Sequence, residues 1–261
     1  MKKWALRALK TLAVAFFWVG VWYLISRKVG IEFLFPSPKD TLASLLKLAR
    51  GKEFWLSTAA SLLRVLTGIL MAWLCGILIG VAISRSRLAD ALLSPVLTVI
   101  KATPVASFIV LALLWIERDR LPVFITLLMV LPIVCSNVAQ GIRSVDVSLA
   151  EVAKVFHFSR TETLRRLYLP SVAPYFMAAC RSSLGMAWKA GIAAEVLSTP
   201  QLGIGTELYF SKTYLETSDL FAWTLVVILL SMMIEKLLVW GLECLGRKLR
   251  AFPVGGHDAC N

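Results

Sequence analysis

The sequence predicts an all-α, polytopic membrane protein with about six transmembrane helices and one polar cytoplasmic segment between the fourth and fifth. Three observations predict it. Apolar residues make up 58% of the 261-residue chain and charged residues 17%, against ~45–50% and ~25% in soluble domains. The apolar residues gather into runs near 20 residues, the length that crosses ~30 Å of hydrocarbon at 1.5 Å per residue. The excess of 28 Lys+Arg over 16 Asp+Glu, a net charge of +12, sits mainly between those runs. A basic balance also suits a nucleic-acid binder, but such proteins seldom carry long uncharged apolar runs, so nucleic acid is excluded as a partner and the lipid bilayer is expected.

The first span is read over Trp4–Ile25, behind Lys2, Lys3, Arg7 and Lys10. No small-residue cleavage site follows it, only Arg27, Lys28 and a Phe/Leu-rich stretch, so it reads as a retained helix rather than a signal peptide. Pro36-Ser37-Pro38 then breaks the chain. Lys39–Gly51 reads as a short amphipathic helix with Leu42, Leu45, Leu46 and Ala49 on one face. The second span is Val65–Ser84. The third, Ala91–Ile116, is interrupted by Lys101 and Pro104. The fourth is Leu121–Val138, the fifth Val172–Leu197 and the sixth Leu220–Leu242. The whole chain, 1–261, is one transmembrane domain.

An even number of spans puts both termini on one side. Lys and Arg outside the spans number 14 on that side and 9 on the other, with 5 and 8 acids respectively, Asp258 and Glu32 among them. The positive-inside rule makes the terminal side cytoplasmic. Cys75, Cys135, Cys180, Cys244 and Cys260 are scattered without a Cys-x-x-Cys pair, so they read as small buried hydrophobes. With only His157 and His257 for imidazoles, neither a metal site nor any cofactor in this chain is expected.

Two helices carry small residues every four positions. Gly68, Ala72, Gly76 and Gly80 fall on one face of the second span, and Ala179, Ser183, Ala187 and Gly191 on one face of the fifth. Small residues let membrane helices approach closely, here most simply within one subunit, with a dimer interface or a pathway lining as the other uses. Charges inside spans are expensive and tend to face a bundle interior or water. Lys101, Arg181, Lys189 and Glu195 are therefore candidates for a translocation pathway. Thr103 and Pro104 join them, because a proline break frees backbone carbonyls near mid-membrane, where broken helices often build substrate paths.

The polar stretch Gln140–Arg166 is too apolar for a plain loop. Asp146 can cap a helix through Glu151 to Phe156, and Phe158-Ser159 can turn the chain. Ser159 with Glu162 makes a capping box for a second helix, expected to run to Leu169 and end at Pro170. Two short helices would then display Glu151, Lys154, Arg160, Arg165 and Arg166 beside Val152, Val155, Phe156, Leu164 and Leu167. That surface suits a soluble protein partner, or an amphipathic hairpin lying on lipid.

Here the chain resembles the permease subunits of bacterial ATP-binding-cassette importers. Those carry Glu-Ala-Ala, three residues, Gly, nine residues and Ile-x-Leu-Pro on the cytoplasmic side. This sequence has Glu151-Val152-Ala153, His157 at the Gly position, and Leu167-Tyr168-Leu169-Pro170, with the spacing kept throughout. Val152 and Leu167 depart conservatively. A His in place of a Gly that allows a positive-φ turn costs about 1 kcal/mol or more. Phe35-Pro36-Ser37-Pro38, Arg143-Ser144-Val145-Asp146, the fifth-span set Arg181, Gly185, Trp188 and Ala194-Glu195, and Leu202-Gly203 are similar to the sulfonate/taurine/nitrate branch. At Lys101-Ala102-Thr103-Pro104 that branch usually has Arg-Pro-Ile-Pro, so one proline is missing.

The resemblance implies the type I importer permease fold, with a cytoplasmic coupling segment at 143–170. It implies that two permease chains, expected as a homodimer, form the pore. An ABC ATPase subunit would dock through Glu151, Ala153, His157, Arg160, Leu167, Leu169 and Pro170. An extracytoplasmic solute-binding protein would deliver a small anion or zwitterion, and the system would sit in the bacterial plasma (inner) membrane. No Gly-x-x-x-x-Gly-Lys-Ser/Thr occurs here, so ATP is expected on a separate subunit and this chain is not expected to be an enzyme. A gradient-driven secondary transporter or channel explains the spans and the charges but not the docking motif, and no inverted repeat is visible. A membrane-embedded enzyme would want a nucleophile with a base at one depth, which these two histidines do not offer.

Overall fold

The computed structural model describes residues 2–31 and 33–250. Glu32, His257, Asp258 and Cys260 lie outside the described residues, as do the side chains of Lys2, Lys3, Arg7, Lys10, Arg247, Lys248 and Arg250. The order is α1 (Lys2–Val29), α2 (Pro38–Leu48), α3 (Lys52–Arg85), α4 (Arg87–Ala102), α5 (Val105–Ala112), α6 (Leu121–Arg143), α7 (Val147–Val155), α8 (Arg160–Thr163), a π-helical turn (Leu164–Tyr168), α9 (Leu169–Ser198), α10 (Ile204–Thr213) and α11 (Thr217–Arg250). No strand occurs among the described residues.

Of the six expected spans, α3, α6 and α11 are both long and apolar enough to cross a membrane. The pair α4–α5 makes a fourth if it is counted as one broken span, since its two halves meet at 104°. The break has a local cause. Pro104 has no N–H to donate and holds the residue before it out of the helical region, and Thr103 accordingly adopts φ −82° and ψ 131°. The fifth span, α9, has 30 residues but is not apolar enough to be read as a span by composition alone. Its polar residues are accommodated because protein, not lipid, covers much of it: Ser183 and Glu195 are fully buried.

The centre of the bundle is α3 against α6 against α9. The small-residue stripes are what bring them together. A Cβ placed on Gly68 would stand 2.7 Å from the Thr126 Cβ and the Val123 carbonyl. One on Gly76 would meet Val134 at 2.7 Å, and one on Gly80 the Cys135 carbonyl at 2.9 Å. On α9, Ala179, Ser183 and Ala187 have no exposed surface, and a Cβ on Gly191 would lie 2.6 Å from Val65 Cγ2. Both stripes therefore pack inside one subunit, α3 on α6 and α9 on both. Cys135 and Cys180 are free, buried members of this interior.

The remaining helices are tied on by specific bonds. Ser37 caps α2 in a box with Asp40, with Pro38 in the first turn. Trp22 Nε1 donates to the Pro36 carbonyl at 3.1 Å, and the Ser26 hydroxyl to the Phe35 carbonyl at 3.1 Å, which hold α1 to the Phe35–Pro38 turn. The Phe221 ring of α11 packs on Trp22 and Phe35. Of the α2 face expected to be apolar, only Leu45 and Ala49 pack against the core. Leu42 and Leu46 are exposed, whereas Thr41 and Ser44 are buried with Leu45 and Leu48 packed beside them. The Ser44 hydroxyl bonds the Asp219 carboxylate, so small polar residues meet α11 beside Leu45 and Leu48. Trp188 Nε1 donates to the Val227 carbonyl at 3.1 Å and fastens α9 to α11.

Candidate functional site

The polar segment folds as a projecting helical hairpin. Asp146 accepts from Ser148 N at 2.8 Å and starts α7. The helix ends where the Phe158 N–H reaches back to the Ala153 carbonyl (2.9 Å) and the His157 N–H to the Lys154 carbonyl (3.0 Å). This is the Schellman pattern, which requires a left-handed residue at His157; its φ is 50°. The turn expected for glycine is thus made by histidine, which is among the side chains that enter this region several-fold more readily than most.

Ser159 then caps α8. Its hydroxyl accepts from Glu162 N at 3.2 Å while the Glu162 carboxylate accepts from Ser159 N at 3.0 Å. The bond from Ser159 N, with a second donated by the Ser159 hydroxyl to the same carboxylate oxygen at 2.9 Å, holds the Glu162 carboxyl below its ordinary pKa. Arg166 lies over the Phe158 ring at 5.8 Å, which closes the hairpin.

One expectation fails here. Pro170 does not end the second helix. The chain passes through the π-helical turn Leu164–Tyr168, in which Leu169 N bonds the Leu164 carbonyl, and continues into α9 with Pro170 in its first turn. The π turn just ahead of Pro170 shifts the ladder to wider bonds, and the N–H that Pro170 lacks leaves a gap in it there without ending the helix.

The hairpin presents apolar side chains to the outside: Val147, Leu149, Val152, Val155, Phe156 and Leu164 are all exposed. Glu151, His157, Arg160, Leu169 and Pro170 are exposed as well, and Leu167 is half-buried. Ala153 is different. It is buried on the underside of α7 and serves the hairpin's own packing.

The expected pathway residues fall into two groups. Lys101, at the end of α4, is exposed, and its Nζ donates to Ser136 Oγ of α6 at 2.8 Å. Thr103 turns its hydroxyl back onto the Val99 carbonyl, and Pro104 is exposed beside the 104° bend. Arg181 lies with Pro174, Met177, Ala178 and Ser182 around an open depression on α9. Lys189 is exposed two turns further along the same helix. Glu195 stands apart from these. It has no exposed surface and belongs to a polar junction at the end of the bundle opposite the hairpin.

Sequence reasoning missed the centre of that junction, Arg64. Its NH1 bonds Glu195 Oε1 at 3.1 Å and the Leu202 carbonyl, and its NH2 bonds Asp119 Oδ1 at 2.8 Å. The other Glu195 oxygen accepts from Ser61 Oγ at 2.6 Å and Gly205 N at 3.1 Å. A Cβ on Gly205 would stand 2.4 Å from Glu195 Cβ, so that glycine lets α10 close over the carboxylate. Thr199 ends α9 in the left-handed region, φ 45°, and turns the chain towards Gly203. The signal for Arg64 was in the sequence: an Arg at the edge of an apolar run wants a carboxylate, and Glu195 at the end of another run wants a cation.

Glu207 of α10 is half-buried near the same end. Ser57 Oγ donates to it at 3.3 Å. Burial is the main cause that pushes its carboxyl above the ordinary range, with Glu53 adding to it.

A helical membrane-protein core with a capped, outward-facing hairpin between its fourth and fifth long helical segments defines a class of transport protein. The family model for the binding-protein-dependent transport system inner membrane component matches residues 68–250, and the chain belongs to that family. It is 27% identical to the taurine transport system permease protein TauC of Escherichia coli (strain K12), over 95% of this chain and 91% of that one. It is 25% identical to the bicarbonate transport system permease protein CmpB of Synechococcus elongatus, over 72% of this chain and 67% of that one. It is 33% identical to the nitrate import permease protein NrtB of Leptolyngbya laminosa, over 58% and 54%. Among solved structures, a bacterial ABC transporter involved in the import of the acidic polysaccharide alginate matches with a TM-score of 0.61 at 16% identity, over 95% of this chain and 97% of that one. An amino acid ABC transporter matches with a TM-score of 0.62 at 15% identity, over 79% and 97%. At such identities the structures speak for the fold. The protein is a transmembrane permease of the binding-protein-dependent ABC import type.

Proposed function

We propose that the α7–α8 hairpin docks an ABC ATPase subunit on the cytoplasmic side, and that movement of the docked ATPases switches access to a pathway built by two copies of this chain. The observation that carries this reading is the row of exposed apolar side chains from Val147 to Leu164 on a hairpin held rigid by two caps and a Schellman turn. A large exposed apolar surface rimmed by charge marks a protein interface. Glu151, His157, Arg160, Leu169 and Pro170 frame the docking surface, and Ala153 and Leu167 support it from within. Both termini lie in the cytoplasm, and an extracytoplasmic binding protein meets the opposite end.

In this reading Lys101, Thr103, Pro104, Arg181 and Lys189 lie along the pathway, with Glu195 bracing the fold that positions them. Three exposed cations on α4 and α9 favour a small anion or zwitterion, in keeping with relatives named for taurine, bicarbonate and nitrate transport.

The test is co-purification from mild detergent followed by ATP-driven uptake. The wild-type chain should bring down an ATPase subunit near stoichiometry, and Glu151→Lys should fold, lose that subunit and uncouple hydrolysis from uptake. Unchanged ATP-dependent uptake by Glu151→Lys removes the docking role. Lys101→Ala should alter uptake kinetics while the complex still assembles; kinetics identical to wild type would strike Lys101 from the pathway.

A further inference from the structure

The Arg64 guanidinium holds two loops to the helical core at once. Its Nε donates to the Asp119 carbonyl at 3.1 Å and its NH2 to Asp119 Oδ1 at 2.8 Å. NH1 reaches Glu195 and the Leu202 carbonyl. The same Asp119 oxygen accepts from Gln201 N at 3.3 Å, so the loop before α6 and the loop after α9 are bonded to each other as well as to α3. The two sides of this junction differ in environment. The Glu195 side chain has no exposed surface, whereas that of Asp119 is 56% exposed.

That asymmetry separates two jobs. Breaking the inner bond strands a buried carboxylate, which is severely destabilising. Breaking the outer bond changes little in stability, because exposed ion pairs are screened and weak. Yet Asp119 fixes where both loops stand, and only a planar fork of donors can serve both carboxylates and a carbonyl together. A bond that contributes little to stability but sets the arrangement of two surface loops is a positioning device.

We propose that Arg64 positions the face that receives the solute-binding protein, by holding residues 117–120 and 199–203 in one arrangement through Asp119 and Leu202. The proposal rests on the reading that the chain works with such a protein at the end opposite the hairpin. The surface fits a soluble partner: Glu117, Arg118 and Arg120 form an exposed charged rim, with Gln201 and Leu202 exposed beside it, and rim charges govern encounter and register more than raw affinity.

The experiment uses the complete transporter, permease with its ATPase, in lipid nanodiscs. For the distance measurement, spin labels go on Arg118→Cys and Gln201→Cys with the native cysteines replaced by alanine; the Gln201 bond to Asp119 uses the backbone and survives, and stimulation is measured on unlabelled transporter that keeps both rim side chains. The partner is the binding protein recovered by chemical cross-linking in intact cells. Two readouts are taken, the inter-label distance distribution and the binding-protein concentration that half-maximally stimulates ATP hydrolysis. Asp119→Ala, which removes the oxygen that Arg64 and Gln201 share, should broaden the distances and raise the half-maximal concentration about tenfold, with a melting temperature near wild type; Arg64→Lys, which also loosens the Glu195 bond, should do the same at a lower melting temperature. Unmoved distances overturn the proposal. So do broadened distances with an unmoved half-maximal concentration. If Arg64→Lys fails to assemble, Asp119→Ala decides, since the Asp119 side chain is largely exposed and its loss removes the shared oxygen without uncovering a buried charge. No stimulation of the unsubstituted transporter would instead sink the importer reading on which the proposal rests.

Discussion

Arg64 NH1 and Glu195 Oε1 meet at 3.1 Å, and their side chains are 15% and 0% exposed. The pair joins α3 to the last turn of α9 across 131 residues of chain. Because Glu195 also accepts from Ser61 and Gly205, its remaining lone pairs are satisfied, which is the condition under which a buried ion pair can be tolerated. Removing one partner is a different matter. Glu195→Ala should lower the stability of the detergent-solubilised permease by about 3–5 kcal/mol, read as a lower melting temperature and yield. Glu195→Gln, which keeps the bonds to Ser61 and Gly205, should lose less.

The close approach of α9 to α3 leaves no room at Gly191. A larger side chain there must displace Val65 Cγ2, 2.6 Å from the first added carbon, and Thr126 Oγ1 at 2.9 Å. Gly191→Leu should cost at least about 1–3 kcal/mol through overpacking. Gly185 on the same helix has nothing within 4 Å of its added carbon. Gly185→Ala should therefore be neutral or stabilise by up to ~1 kcal/mol. Thermal unfolding of the two variants side by side separates packing from helix propensity.

His157 sits at φ 50°, where a glycine would be free of steric cost. His157→Gly should keep coupled uptake and slow amide exchange around 153–158, gaining about 1 kcal/mol locally. His157→Val puts a β-branched residue in the same region and should weaken the hairpin. Faster exchange in His157→Gly than in His157→Val would contradict the turn described here.

Legibility in the sequence followed the range of the interactions. The capping residues Asp146 and Ser159 act within a few positions, so spacing revealed them, and the left-handed turn at His157 was marked by the resemblance that sets it at a glycine position. The stripes of Gly68, Gly76 and Gly191 announced close packing, but only coordinates showed that α6 fills the gap on α3. One misreading and one omission had different causes. The continuity through Pro170 depends on a π turn that shifts the hydrogen-bond ladder by one residue, which no residue type announces. The partnership of Arg64 with Glu195 depends on how α3 and α9 align end to end. Glu195 was legible as an intramembrane charge, but its partner and its buried place were not.

The Glu162 carboxyl is held below its ordinary pKa by the Ser159 backbone and hydroxyl. A depressed folded-state value contributes stability that is complete above the unfolded value and is lost as pH falls through the folded one. Order in α8 should thus persist down through the normal glutamate range and fail only at lower pH. An NMR titration of the Glu162 carboxyl should show a midpoint below that of a model glutamate, and Ser159→Ala should return it towards normal.

Glu207 is the opposite case. Burial raises its carboxyl above the ordinary range, so its protonated form favours the fold. That contribution is present below the unfolded value and disappears as pH rises through the folded one. Glu207→Gln should then flatten the decline in melting temperature between acidic and neutral pH. An unchanged slope would show that Glu207 is not what the pH dependence reports.

The π turn at Leu164–Tyr168 sets an angular phase between the hairpin and α9. Each helical residue turns the chain by about 100°, so the direction in which Phe156 and Val152 point is clocked, through this turn, to the faces that carry Arg181 and Lys189. Deleting one residue from the turn would restore a plain α ladder and swing the hairpin by roughly that angle about the α9 axis. Every cap and every buried contact of the bundle could survive such a deletion, and the exposed apolar row would still be aimed at the wrong quarter.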